Sequence, residues 1–151
     1  MDMTKEQRAR GLFAAGYNCA QSVLGAFCAQ EGFDLNTALK IANGFGGGLR
    51  CGEVCGAVSG AIMALGLRHG FCAQGDMEGK TRCYQKTYEF IEKFKGERGT
   101  ILCRELVGHH IRHPDDFPPL SAQGVFKVCP DIIGTAVRVL ETVLNEPQET
   151  Q

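Results

Sequence analysis

The chain has 151 residues, enough for one domain with a real core, and its 44% hydrophobic and 22% charged content is ordinary for a globular protein. A net charge of −1, with no basic arm, acidic tail or low-complexity tract, gives no electrostatic grounds for binding nucleic acid or an anionic membrane. The longest apolar stretch, Ala57 to Leu67, is far short of the roughly 20 residues that a membrane-spanning helix needs.

The charged N-terminus, MDMTKEQRARG, lacks the apolar run of a secretory signal, so a cytoplasmic location is expected. Helical periodicity runs through the chain, and no alternating strand pattern stands out. Thr4 is placed to cap a first helix to about Ala15, with Leu12 and Phe13 inward and Gly16 as its stop. Asn18 begins a second helix, with Gln21 three residues on in a capping-box pattern. Its inward positions are Ala20, Val23, Leu24, Phe27 and Cys28, and Gly32 marks its end. A short helix from about Leu35 to Ala42 leads into a glycine-rich loop, and a central helix follows to His69–Gly70.

In that central stretch Gly52, Gly56, Gly60 and Ala64 form a stripe of small side chains at spacing four. It lies beside a core-facing row of Val54, Val58, Ile62 and Leu65. Such a stripe admits another backbone closely, either within the chain or across a homodimer. Cys51 and Cys55 share a helix face if the helix has begun by Cys51. Asp76 is placed to cap a long helix to about Lys95, with Tyr84, Tyr88, Ile91 and Phe94 as its apolar face and Gly96 and Gly99 as breakers. Thr100 caps a helix over ILCRELVG that ends at Gly108. The segment from His109 to Gln123 holds three of the four histidines and three of the five prolines, and reads as a loop or a set of turns. Pro130 opens the last helix, which runs to about Asn145 and buries Ile132, Ile133, Val137, Leu140 and Leu144. The tail, 146–151, is expected to fray. The predicted class is all-α: a single domain over residues 1–145, built as a compact bundle of six or seven helices.

Eight cysteines is the outlying number. Without an export signal they are expected to be reduced thiols, metal ligands or redox groups rather than a disulfide framework. Cys19, Cys55, Cys103 and Cys129 each fall at or near a predicted helix N-terminus, on four separate elements. There the unpaired N–H groups and the positive end of the helix dipole favour an anion, and so a thiolate that can bind metal or attack a disulfide. Cys28, Cys72 and Cys83 read as core or incidental thiols, and Cys51 stands between the two groups.

The motif Cys55-Gly56-Ala57-Val58-Ser59-Gly60, with isolated Cys19 before it and isolated Cys103 and Cys129 after it, resembles the redox-active family named for its C_GCAxxG_C_C pattern. The contexts YNCAQSV, GFGGG and CRELVG are similar as well, and the likeness extends over nearly the whole chain. Where the pattern's name has Gly-Cys-Ala, this chain has Cys-Gly-Ala. The resemblance implies that Cys19, Cys55, Cys103 and Cys129 are the signature thiols and that the chemistry is redox, with no substrate attached.

Two chemistries follow. Four thiolates converging on one centre would suit an iron–sulfur cluster or zinc. The separations of 36, 48 and 26 residues contain no CxxC knuckle, so zinc-ribbon and common ferredoxin patterns do not fit. The redox resemblance favours [2Fe–2S] over zinc, for electron transfer with an unidentified redox partner or for sensing. In the alternative, Cys55 is the nucleophile of a thiol–disulfide exchange, with Cys51 or another signature cysteine resolving it. A metal sensor or carrier, or a plain helical bundle with buried thiols, are further alternatives. No nucleotide is expected: Gly44 to Gly48 does not complete GxGxxG, because Leu49 takes the sixth position, and no GK[ST] follows. His109 and His113 have the spacing of a two-histidine face but sit in the loop, and Arg50 and Arg68 flank the central helix as candidate partners for an anion.

Overall fold

The computed structural model describes residues 2–145, and among them there are eight α-helices and no β-strand. They are α1 (Lys5–Ala14), α2 (Cys19–Cys28), α3 (Leu35–Ala42), α4 (Gly56–His69), α5 (Met77–Arg98), α6 (Cys103–Val107), α7 (Phe117–Ala122) and α8 (Cys129–Asn145). The all-α class is as predicted, with one helix more. The expected fraying of 146–151 lies outside the described residues. None of the helices is long and apolar enough to cross a membrane.

The capping signals worked where a side chain could reach a free N–H. Thr4 and Asn18 both form complete capping boxes, with Gln7 and Gln21 returning the bond, and Asp34 and Asp76 accept from the N–H of Thr37 and Gly79.

Helices α2 and α4 form the centre, and small residues set their spacing. A Cβ at Gly60 would stand 2.5 Å from the Ala20 carbonyl oxygen, and one at Gly56 would stand 3.0 Å from the Ala20 nitrogen. Both glycines of the CGAxxG motif thus face one residue of α2, because spacing four returns to the same side of a helix. This glycine face is used within the chain. Around the pair, α8 buries Ile132, Ile133, Val137, Leu140 and Leu144, as the periodicity predicts, and α5 brings in Phe90 and Phe94, stacked at 5.9 Å. Arg98 of α5 donates to the Asp131 carbonyl and to Thr135, and Arg10 of α1 pairs with Asp131, so two helices hold the start of α8 in place.

Four sequence expectations need correction. The α4 helix begins at Gly56, so Gly52 and Val54 lie outside the helical stripe and Cys51 and Cys55 do not share a helix face. Gly47 to Arg50 instead make a left-handed turn, with positive φ at Gly47, Gly48, Leu49 and Arg50. On α5, Tyr84 and Tyr88 are exposed at 65% and 67%, while Phe90, Phe94 and the unexpected Lys86 are buried. Lys86 is accommodated because its ammonium donates to the Val143 carbonyl. Thr100 does not cap α6; its hydroxyl accepts from the N–H of Leu102, the residue before the helix, and the helix starts at Cys103. The proline-rich segment is more ordered than a loop: His113 caps a 3₁₀ turn at Pro114–Asp116, and α7 follows directly.

Candidate functional site: four thiols around one cavity

Three local arrangements bring the helix starts of α2, α4, α6 and α8 to one place. The first is a short antiparallel bridge between Val54 and Leu102. The Cys55 N–H donates to the Ile101 carbonyl at 2.8 Å and the Cys103 N–H to the Glu53 carbonyl at 2.7 Å, so the two cysteines enter their helices side by side. Arg104 fastens the same bridge through the Gly52 carbonyl and the Glu53 carboxylate. The second arrangement is the glycine contact already described. A Cβ at Gly56 would stand 3.3 Å from the Cys19 Cβ, so the missing side chain is what lets the start of α2 lie against the start of α4. The third is the 3₁₀ turn Val125–Val128, which delivers Cys129 as the first residue of α8.

Cys19, Cys55, Cys103 and Cys129 all line one cavity of about 420 Å³. Cys55, Cys103 and Cys129 are buried and Cys19 is partly so. The remaining wall is mostly apolar, with Phe13, Leu106, Phe117, Phe126 and Ile132 among its members, and Phe117 and Phe126 stack at 5.6 Å. The other four cysteines are elsewhere. Cys28 is in the core, Cys83 packs against it, Cys72 is exposed, and Cys51 contacts the Gly48 carbonyl without lining the cavity. The four cysteines at helix starts are thus the four that line the cavity, and the other four do not line it.

Helix starts were expected to lower these thiols' pKa values, and for three of the four that is corrected. Burial pushes Cys55 up to about 11 against the pull of the Ala57 and Val58 N–H groups, and pushes Cys103 up to about 12, assisted by the neighbouring Cys55 and Cys129 and opposed by Arg50. Desolvation of a charged sulfur outweighs the helix end at these depths. Cys19 and Cys129 behave as a pair in hydrogen-bonding reach. Cys19 is held well above the ordinary range, first by its bond to Cys129 and then by burial, and the same bond lowers Cys129 despite burial.

The glycine-rich loop has a packing explanation. Gly46 presses on the Asn18 side chain, and a Cβ at Gly47 would stand 2.7 Å from the Phe117 ring and 2.8 Å from the Arg50 guanidinium. Arg50 borders the cavity, with its guanidinium carbon 3.9 Å from the centre of the Phe117 ring. Arg68 is engaged away from the site by Glu31. His109 and His113 are exposed, and His113 Nδ1 accepts from the Asp115 N–H. Sequence reasoning missed Phe117 and Phe126 as cavity walls; the signal was the apolar series Ile111, Phe117, Leu120 and Phe126 within and just after the proline-rich stretch.

Among the described residues no group of three or more His, Cys, Asp or Glu side chains is arranged to hold a single metal ion as it stands. The donor chemistry nevertheless suits a sulfur-ligated centre: four thiols and no competing carboxylate line the cavity. Neither curated proteins nor solved structures give a match. A family profile described as "Putative redox-active protein (C_GCAxxG_C_C)" matches residues 17–143. The matched span starts just before Cys19, ends after Cys129 and so takes in all four cavity thiols, and the chain belongs to this C_GCAxxG_C_C family.

Proposed function

We propose that the four cavity thiols act as one redox centre and ligate an iron–sulfur cluster, with [2Fe–2S] favoured, for electron transfer or sensing. The observation that carries this is the convergence of Cys19, Cys55, Cys103 and Cys129 on one apolar cavity. A lone zinc ion is disfavoured, because zinc has no redox chemistry and the family description is of a redox-active protein. When bound, the cluster would supply one-electron chemistry. The chain's part is to deprotonate four thiols, which is unfavourable at this depth without a cation, and to keep water away with the Phe117–Phe126 wall. The Ala57 and Val58 N–H groups beside Cys55 would favour its anionic form.

A second reading has its own support. Cys19 and Cys129 line the same cavity and interact, the interaction raising Cys19 and lowering Cys129, which suits a dithiol that closes to a disulfide, releasing two protons and passing two electrons to an acceptor. This pair suits the reaction better than Cys51 with Cys55, of which Cys55 alone lines the cavity.

Anaerobic purification with iron, zinc and acid-labile sulfide analysis and a visible spectrum tests the first reading. Visible bands with stoichiometric iron and sulfide are expected. A colourless, iron-free protein that fails to take up iron and sulfide on reconstitution contradicts it. Peptide mapping that finds a Cys19–Cys129 disulfide after mild oxidation of that protein would favour the second.

A further inference from the structure

The cavity that the four thiols line also carries an apolar wall and a charged side chain. At about 420 Å³ it falls within the range of small-molecule sites, about 300–1,000 Å³, which are mostly apolar with a few fixed polar groups. Among the described residues, Arg50 is the one lining side chain with a permanent charge. Its guanidinium stacks on Phe117 and has no carboxylate partner among them. The backbone that holds it there is left-handed at two successive non-glycine residues, Leu49 and Arg50, at φ 59° and 61°. Such conformations are disfavoured for L-residues and persist where the surroundings enforce them. The loop also keeps Gly47 free of a side chain so that Arg50 can reach back over the ring.

We propose that this cavity binds a small organic acid, with its apolar body against Phe117, Phe126 and Leu106 and its carboxylate on the Arg50 guanidinium. A planar, unpaired guanidinium at the edge of an apolar space is suited to a carboxylate, which it can meet with two parallel hydrogen bonds. An apolar molecule without the acid gains the wall and leaves Arg50 unused. An amine meets a like charge. The inference goes beyond the redox reading and does not require a metal, since its ligand is held by Arg50 and the aromatic wall.

The test uses phenylacetate as the probe, with benzyl alcohol and phenethylamine as comparisons, on the reduced full chain under anaerobic conditions, followed by amide chemical-shift mapping and calorimetry. Phenylacetate should shift Arg50, Phe117 and Leu106 and bind at least about tenfold more tightly than benzyl alcohol. Arg50→Gln should abolish that preference, and Arg50→Lys should keep part of it. Equal binding of acid and alcohol, shifts confined to another surface, or an acid preference that survives Arg50→Gln would overturn the proposal. The wild-type comparison needs no variant, so it stands even if a substitution disturbs the loop. Iron and sulfide content measured on the same sample reports separately on the redox centre.

Discussion

Cys129 is the thiol whose environment sets it apart from its three neighbours. Its interaction with Cys19 favours its anion, while burial raises Cys55 and Cys103. Site-resolved iodoacetamide labelling of the reduced, metal-free protein should therefore show Cys129 reacting at lower pH than Cys55 or Cys103. Replacing its partner, as Cys19→Ala, should move the Cys129 profile to higher pH. Labelling of Cys103 ahead of Cys129 at neutral pH would contradict this. The raised thiols also make a prediction on stability. A group whose folded pKa lies above its unfolded value contributes stability below the unfolded value, about 8.5, and loses it as pH rises through the folded one. With Cys55 at about 11 and Cys103 at about 12, the denaturation midpoint of the reduced, metal-free protein should fall as pH is raised from 8 to 10. Cys55→Ala/Cys103→Ala should flatten that slope; an unchanged slope would contradict it. None of this was legible from the sequence. Helix position suggested four acidic thiols, but a sequence does not show how deeply each sulfur is buried.

At the scale of the element, the α2–α4 contact makes the sharpest claim. Gly60→Ala places a Cβ against the Ala20 backbone oxygen, which cannot swing aside, and should destabilise by about 1–3 kcal/mol or more. Gly66→Ala on the same helix meets nothing within 4 Å and should stabilise by about 0.5–1 kcal/mol. Denaturant unfolding of the two variants checks both signs. The α5 face gives a second contrast. Phe90→Ala should cost about 3–5 kcal/mol, whereas Tyr88→Ala should stay within about 0.5 kcal/mol. The sequence pattern placed the tyrosines inward because Tyr84, Tyr88 and Ile91 keep helical spacing as well as Phe90 and Phe94 do. What decides the phase is tertiary: Phe90 and Phe94 stack in the core, and Lys86 finds the Val143 carbonyl. Boundaries set by side-chain caps were readable, as at Thr4, Asn18 and Asp76. The starts of α4 and α6 were not, because there the backbone bridge between Val54 and Leu102 fixes them without a side-chain cap.

At the scale of the whole molecule, the fold gathers four helix N-termini, each carrying a cysteine, around one space. Residues 36, 48 and 26 apart meet there, and the spacing alone carried no sign of it. What the sequence did carry was the shared helix-start position and the glycines at spacing four, whose packing against Ala20 explains how Cys19 reaches Cys55. The aromatic wall was hidden because prolines dominate its segment, although α7 begins within it. The most direct test of a single four-thiol centre compares iron and sulfide content and thiol reactivity in Cys55→Ser and Cys103→Ser with the exposed-site control Cys72→Ser. Loss of the centre in both variants, with Cys72→Ser equal to wild type, is the expected result. Metal content and thiol reactivity unchanged by either replacement would show that the four thiols do not act together.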